Sequence, residues 1–184
     1  PTYIQKMITD TRYNEEDIVS VIDYLKEQGG GKFNPDVLES ARHFYSGDAR
    51  GTWKPAKVIK NNNVLIIGPG PSSTSHCNAI ESYIKTHSPF VIALNTQKSI
   101  SEEFINARAA CHPVRILADC QEHLNSPQPL IVPASMLPND VKQKLKQKEL
   151  FDFDITIDVN GFVFNDYNCT LPNLLVLSYA LAIA

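Results

Sequence analysis

The residues Gly68-Pro69-Gly70-Pro71-Ser72-Ser73 stand directly after an unbroken apolar run, Val64-Leu65-Ile66-Ile67. Strand, glycine turn and helix in that order let backbone N–H groups approach an anion, with hydroxyls beside a helix N-terminus. The chemistry expected there is the holding of a phosphate by Gly68, Gly70, Pro71, Ser72 and Ser73. Ser73 stands where a third glycine would complete G-x-G-x-x-G, and no Gly-Lys-Ser follows to make a P-loop. Pro69 and Pro71 stiffen the turn and remove two donors. The plain alternative is a tight strand-to-helix turn with no ligand.

Two further positions share that expectation. Asn95 closes the next apolar run, and in doubly wound sheets the carboxyl ends of adjacent strands line the ligand crevice, so Asn95 is a candidate for a ribose or base; a local side-chain turn explains it equally. Thr170, before Leu171-Pro172, reads as the N-cap of the last helix and as a second anion site, with simple capping as the alternative. Arg108, Cys111, His112, Arg115, Asp119, Cys120 and His123 cluster in sequence, but their spacing matches no zinc pattern, so no metal site is expected. His76-Cys77 lies near a helix N-terminus, where a thiol is activated, although a buried, inert Cys77 is the favoured reading. No convincing acid, base or nucleophile set emerges, and the catalytic residues stay unknown.

The elements that would position these groups follow from periodicity. Asn14 and Asp17 suggest a helix start, Ile18, Val21, Ile22 and Leu25 fall at helical spacing, and Gly29-Gly30-Gly31 ends it. A second helix is expected over about 35–44. Residues 1–57 thus form a helical linker or appendage, too small to bury much surface alone. In residues 58–184, strands are expected at 64–67, 90–94, 114–118 and 130–132. Helices are expected after Ala79, from Ser101 to Ala110, near 121–124 and from Asn139 to Lys146. Such alternation gives an α/β, Rossmann-like three-layer domain with a mainly parallel sheet. Phe153 to Phe164, with Asn160-Gly161 inside, reads as a β-hairpin.

Bulk properties narrow the function classes. The chain has 184 residues, 43% hydrophobic and 20% charged, so a packed core is expected. A net charge of −3 without a basic cluster argues against nucleic acid. No apolar run reaches membrane-spanning length and no signal-peptide pattern opens the chain. Four cysteines without C-x-x-C spacing suggest reduced thiols and a cytoplasmic setting. A start on Pro1 instead of a methionine and the apolar ending Leu181-Ala182-Ile183-Ala184 suggest a fragment, truncated at its C-terminus.

Gly68 to Ser72, Asn95 and the apolar helix ending Tyr179-Ala180-Leu181-Ala182 together resemble bacterial sialyltransferases, and a wider Rossmann-like group with a G-x-G-P-S loop. This resemblance implies a nucleotide or CMP-sugar ligand held by Gly68, Gly70, Pro71, Ser72, Asn95 and Thr170. Pro69 departs from the family's polar residue at that place, and the family's catalytic His would lie beyond Ala184. The whole chain also resembles the C-terminal part of aldolases related to hydroxymethylglutaryl-CoA lyase and 4-hydroxy-2-oxovalerate aldolase, of a kind associated with surface-polysaccharide biosynthesis. Pro1-Thr2-Tyr3-Ile4-Gln5, Ala110-Cys111-His112-Pro113-Val114-Arg115 and Pro133-Ala134-Ser135-Met136-Leu137-Pro138 carry it. It implies that the aldolase barrel, its divalent metal and any aldol cleavage belong to a preceding part, which would be this chain's partner.

The expected function is therefore nucleotide or nucleotide-sugar binding by the C-terminal domain of a polysaccharide-related aldolase. The alternatives are a non-catalytic regulatory or oligomerisation domain, with homo-oligomers, and a thiol or metal enzyme using Cys111, His112 and Cys120.

Overall fold

The computed structural model describes residues 18–19, 21–23, 50–60 and 62–184. Its main sheet has five parallel strands in sequential order: β1 (Val64–Ile67), β2 (Phe90–Leu94), β3 (Ala107–Ala109), β4 (Leu130–Val132) and β5 (Leu150–Asp152). β2 is buried throughout, which is why its sequence is a continuous apolar run. The pairs Ile66↔Ile92, Ile92↔Ala107 and Ala109↔Ile131 put these residues on one face. That face carries α7 (Val176–Ile183), which contacts β2 and β3 through a buried side formed by Tyr179, Ala180 and Ile183. Alanines at both ends of β3 leave volume for that helix. The opposite face, with Ile67, Val91 and Ala93, packs on Ile80 and Ile84 of α3 (Cys77–His87) and on Ile100, Phe104 and Ile105. Helices on both faces of a parallel sheet make this the expected Rossmann-like three-layer α/β fold.

Sequential strand order has a consequence for ligand binding. The connections from β1 to β2 and from β2 to β3 both pack on the face of Ile67, Val91 and Ala93, as right-handed crossovers in sequential order do. The described strands therefore lack the reversal of order that opens a crevice in a doubly wound sheet. What they share is one carboxyl edge, to which residues 68–73, 95–97, 110–112, 133–135 and 153–154 belong.

Several sequence expectations need correction. Residues 114–118 are not a strand: Pro113–Ala118 is helix α4, opened by Pro113 in its first turn. Pro113, Val114, Ile116, Leu117 and Ala118 are all buried, and a helix buried nearly all round has no polar face to reveal its period. The third strand is instead Ala107–Ala109, inside what reads as a helix from Ser101; only a 3-10 turn, Glu102–Phe104, forms there. The backbone N–H and hydroxyl of Ser101 both bond Glu81 Oε1, at 2.9 and 3.0 Å. The remaining helices are α1 (Pro55–Val58), α2 (Pro71–Ser75), α5 (Cys120–Asn125) and α6 (Asn139–Lys144).

The hairpin over 153–164 is also corrected. β6 (Asp154–Ile157) and β7 (Val163–Phe164) do not pair with each other, because β8 (Asn168–Leu171) lies between them. β6 runs parallel to β8 and β7 antiparallel to it. β6 continues β5 into this second sheet: the N–H of Phe153 still bonds Val132 O at 3.2 Å, and that of Asp154 bonds Tyr167 O at 3.0 Å.

Of the N-terminal segment, Ile18, Val19 and residues 21–23 are helical, and Val21 is fully buried in the main core with Ile18 against it. The helix starting at Asn14, the glycine stop at 29–31, the second helix at 35–44 and the motif Pro1–Gln5 lie outside the described residues. Among the described residues, no helix is long and apolar enough to cross a membrane.

Candidate functional site

The glycine loop leaves β1 at the carboxyl edge. Gly68 follows the strand, Gly70 is the N-cap of α2 and Pro71 its first residue. Neither glycine adopts left-handed backbone; Gly51 is the glycine among the described residues that does. A Cβ at Gly68 would approach Leu94 Cδ1 at 3.9 Å, and one at Gly70 would approach Ser72 Oγ at 3.8 Å, both ordinary contacts. The fold itself thus demands glycine at neither position.

The loop's donors are fewer than its sequence suggests. Pro71 has no N–H, and both the N–H and the hydroxyl of Ser73 turn back onto Gly70 O, at 3.1 and 2.6 Å. α2 is only five residues long and breaks at His76, whose backbone N–H and Nδ1 both reach Ser72 O, at 3.0 and 2.9 Å. Side chains that bond nearby carbonyls compete with the helix ladder, so the anion-attracting dipole expected of a longer helix is small. Ser72 is exposed. Cys77 is half-buried rather than buried, and its thiol lies against Asn78 Oδ1 at 3.7 Å.

Asn95 lies on the neighbouring strand end. Its φ is 52°, a left-handed conformation that asparagine tolerates, and its N–H bonds Ala109 O at 2.8 Å. Its side chain is buried, with Oδ1 lacking a hydrogen-bond partner. The segment after it is fixed from below by Arg108, which is fully buried in β3. Nη1 donates to Gln97 O at 2.8 Å and Asn95 O at 3.4 Å, and Nε donates to Gln128 Oε1 at 2.9 Å. Nη2 faces Glu102 at 3.6 Å. The arginine thus holds the loop that carries Asn95, which its place in the sequence did not reveal.

Thr170 is not a helix N-cap. It sits within β8, paired with Thr156 and Val163, and α7 starts after Leu175. The anion site expected at Thr170 therefore has no helix terminus behind it. Pro172 misleads because it follows a strand here instead of opening a helix.

The cysteine and histidine positions disperse. Among the described residues, no group of three metal-capable side chains forms. Cys111 and Cys169 are fully buried; burial pushes the Cys111 thiol up strongly and that of Cys169 up to about 12. His123 is fully buried with neither ring nitrogen bonded. Burial first, then the positive charges of Arg108, Lys148 and Arg115, push it down to about 3. It remains neutral.

One polar constellation was not anticipated. Asp152 and Asp154, at the end of β5 and the start of β6, are both buried. Asp152 accepts from Ser135 N at 2.8 Å, from Thr52 Oγ1 at 3.1 Å and from the Ser135 hydroxyl. Burial, then the Asp152 charge, push Asp154 up to about 6 against the opposing pull of two backbone donors. The i, i+2 spacing of two aspartates was the available signal, since it places both on one side of an extended chain. Neither a family model, nor a curated protein, nor a solved structure matches this chain.

Proposed function

We propose that the α/β unit binds a nucleotide or nucleotide-sugar at the carboxyl edge of β1 and β2, with Gly68, Gly70 and Ser72 at the phosphate and Asn95 at the sugar or base. The carrying observation is that a Cβ at either glycine would make only an ordinary contact, with Leu94 Cδ1 at 3.9 Å or with Ser72 Oγ at 3.8 Å. Neither backbone conformation nor packing forbids a side chain there, and glycine at both positions suits close approach of a ligand to the main chain, Gly70 serving also as the N-cap of α2. The buried, unpartnered Oδ1 of Asn95 on the adjacent strand end supports the same reading. Titration calorimetry with CMP, a CMP-sugar, a UDP-sugar and NAD tests it. Saturable heat with a cytidine or uridine ligand is expected, and silence from all four at millimolar concentration overturns it.

On the resemblance to polysaccharide-type aldolases, this unit is the C-terminal domain of such an enzyme and does not hold its aldolase centre. An antibody against the chain should detect, in its source cells, a polypeptide longer by a barrel of roughly 250 residues. A polypeptide no longer than this chain overturns that assignment.

A second reading, an oligomerising domain, is favoured by exposed apolar side chains. Val163 and Phe164 form the edge strand β7, with Phe162 just before it, and Leu177 and Leu181 lie on the outer side of α7. Light scattering after size exclusion decides it: a monomer at all concentrations removes this reading.

A further inference from the structure

Three strand ends stand side by side at the carboxyl edge. The glycine loop follows β1, Asn95 and Thr96 follow β2, and residues 110–112 lead from β3 into α4. Register fixes the neighbours: Leu94 is level with Ala109, and the N–H of Asn95 bonds Ala109 O at 2.8 Å. Arg115, the third residue of α4, stands at the β3 end of this edge.

Arg115 is tied back to β2 through a shared acceptor. Its Nη2 lies 3.1 Å from Asp119 Oδ2, and the hydroxyl of Thr96 donates to the same oxygen at 3.4 Å. Asp119 is 1% exposed and Thr96 9%, whereas the Arg115 side chain keeps 27% of its surface in solvent. A buried carboxylate thus anchors a planar group with five donors, and its exposed part can meet an anion.

Positive charge is what the glycine loop lacks. From Gly68 to Ser75 there is no lysine or arginine, and Pro69 and Pro71 have no N–H. Arg108 lies beneath the edge, fully buried and bonded to main-chain carbonyls. Lys98 is drawn to Glu122 of α5, at 2.6 Å. Arg115 is the cation that a buried partner holds at the ends of β2 and β3.

Distance decides which part of a ligand Arg115 meets. A phosphate held at Gly68 and Gly70 is one to two strand spacings away, roughly 5–10 Å, beyond the reach of a hydrogen bond. A ribose at Asn95 bridges that gap and brings its far side to Arg115. An aspartate or glutamate at the end of β2 would accept from a ribose hydroxyl and repel a phosphate on it. Asn95 is neutral in that place.

Given a nucleotide at Gly68, Gly70 and Asn95, on which this inference rests, we propose that the ligand carries a second phosphate, esterified to the 2′- or 3′-hydroxyl of its ribose, and that Arg115 selects it. The guanidinium donates to the phosphate oxygens, and Asp119 and Thr96 keep it in position.

Titration calorimetry on the full chain compares CMP and UMP with their 3′,5′- and 2′,5′-bisphosphates. A bisphosphate should bind at least about tenfold tighter than its parent, a gain that shrinks with added salt. The ester that gives the gain tells the two positions apart. Arg115→Gln should cut the gain below about threefold and leave the parent's affinity within about twofold. If that variant does not fold because Asp119 is left unpaired, Arg115→Gln combined with Asp119→Asn takes its place. Lys98→Gln should keep the gain, separating Arg115 from the general charge of the edge. Binding of CMP or UMP with no gain from a second phosphate overturns the inference and leaves the nucleotide reading standing. So does a gain kept in the folded Arg115 variant, or one lost equally in Lys98→Gln. Silence from every probe overturns both.

Discussion

Gly51 rests against the main chain of Tyr167: a Cβ added to Gly51 would lie 1.9 Å from the Tyr167 carbonyl oxygen. Its φ of 52° adds conformational strain for any other residue. Because the obstacle is backbone, the chain must shift, and the two hydrogen bonds from the Arg50 and Gly51 N–H groups to Asp154 Oδ2, both 2.7 Å, shift with it. Gly51→Ala should therefore destabilise by about 2–4 kcal/mol, read from the urea midpoint at constant slope. A loss below about 0.5 kcal/mol would show that segment 50–53 is not held as described.

Gly68→Ala and Gly70→Ala should behave oppositely, since both positions have room for a methyl group. Their stability should stay within about 0.5 kcal/mol of wild type, with a small gain allowed by reduced freedom of the unfolded chain. Affinity for the nucleotide ligand should fall at least about tenfold, because the methyl group occupies the ligand's approach. Thr170→Ala, in the second sheet, should leave affinity unchanged. Equal loss of binding and stability in the glycine variants would mean the residues serve the fold.

His123 and Asp154 pull stability in opposite directions with pH. The His123 value is depressed, so the unfolded chain binds its proton first and stability is lost as pH falls from about 6.5 toward 3. The Asp154 value is raised, so its contribution is complete below about 3.8 and is lost as pH rises through about 6. Between pH 4 and 6 the two oppose each other. His123→Leu loses no hydrogen bond and should raise stability at pH 5 by about 1–3 kcal/mol, leaving a curve that falls with pH in this window. Asp154→Asn should leave one that rises. Parallel curves for the two variants would contradict both assignments.

The pattern of what the sequence disclosed has a physical basis. β1, β2 and β4 were legible to the residue because each is an apolar run bounded by turn residues. β3 was not: three residues with Arg108 in the middle carry no strand signal, and the pairing is dictated by neighbours on both sides. α4 deceived because nearly all of it is buried. Thr170 deceived because Pro172 suits a strand exit as well as a helix start. At the site, Gly68, Gly70 and Asn95 were visible from strand ends alone. Asp152 and Asp154 alternate with Phe151 and Phe153, and alternation reads as a solvent face; here Thr52 and its neighbours cover it. Such burial depends on residues about 100 positions away, as the separations of 103 and 104 to Asp154 show.

The thiols permit a direct check of the core. Only the thiolate reacts with a disulfide reagent, so both access and ionisation limit the rate. Cys111 and Cys169 fail on both counts, being fully buried and displaced upward, and Cys120 is 3% exposed. Cys77, on the first turn of α3, is the half-buried one. Native protein should therefore release one fast equivalent from an aromatic disulfide reagent, with three more appearing on unfolding in guanidinium. Cys77→Ser should abolish the fast phase. A second fast equivalent in the native state would place Cys111 or Cys120 within reach of a substrate and return thiol chemistry to consideration; its absence leaves those residues as packing groups beneath the sheet's carboxyl edge.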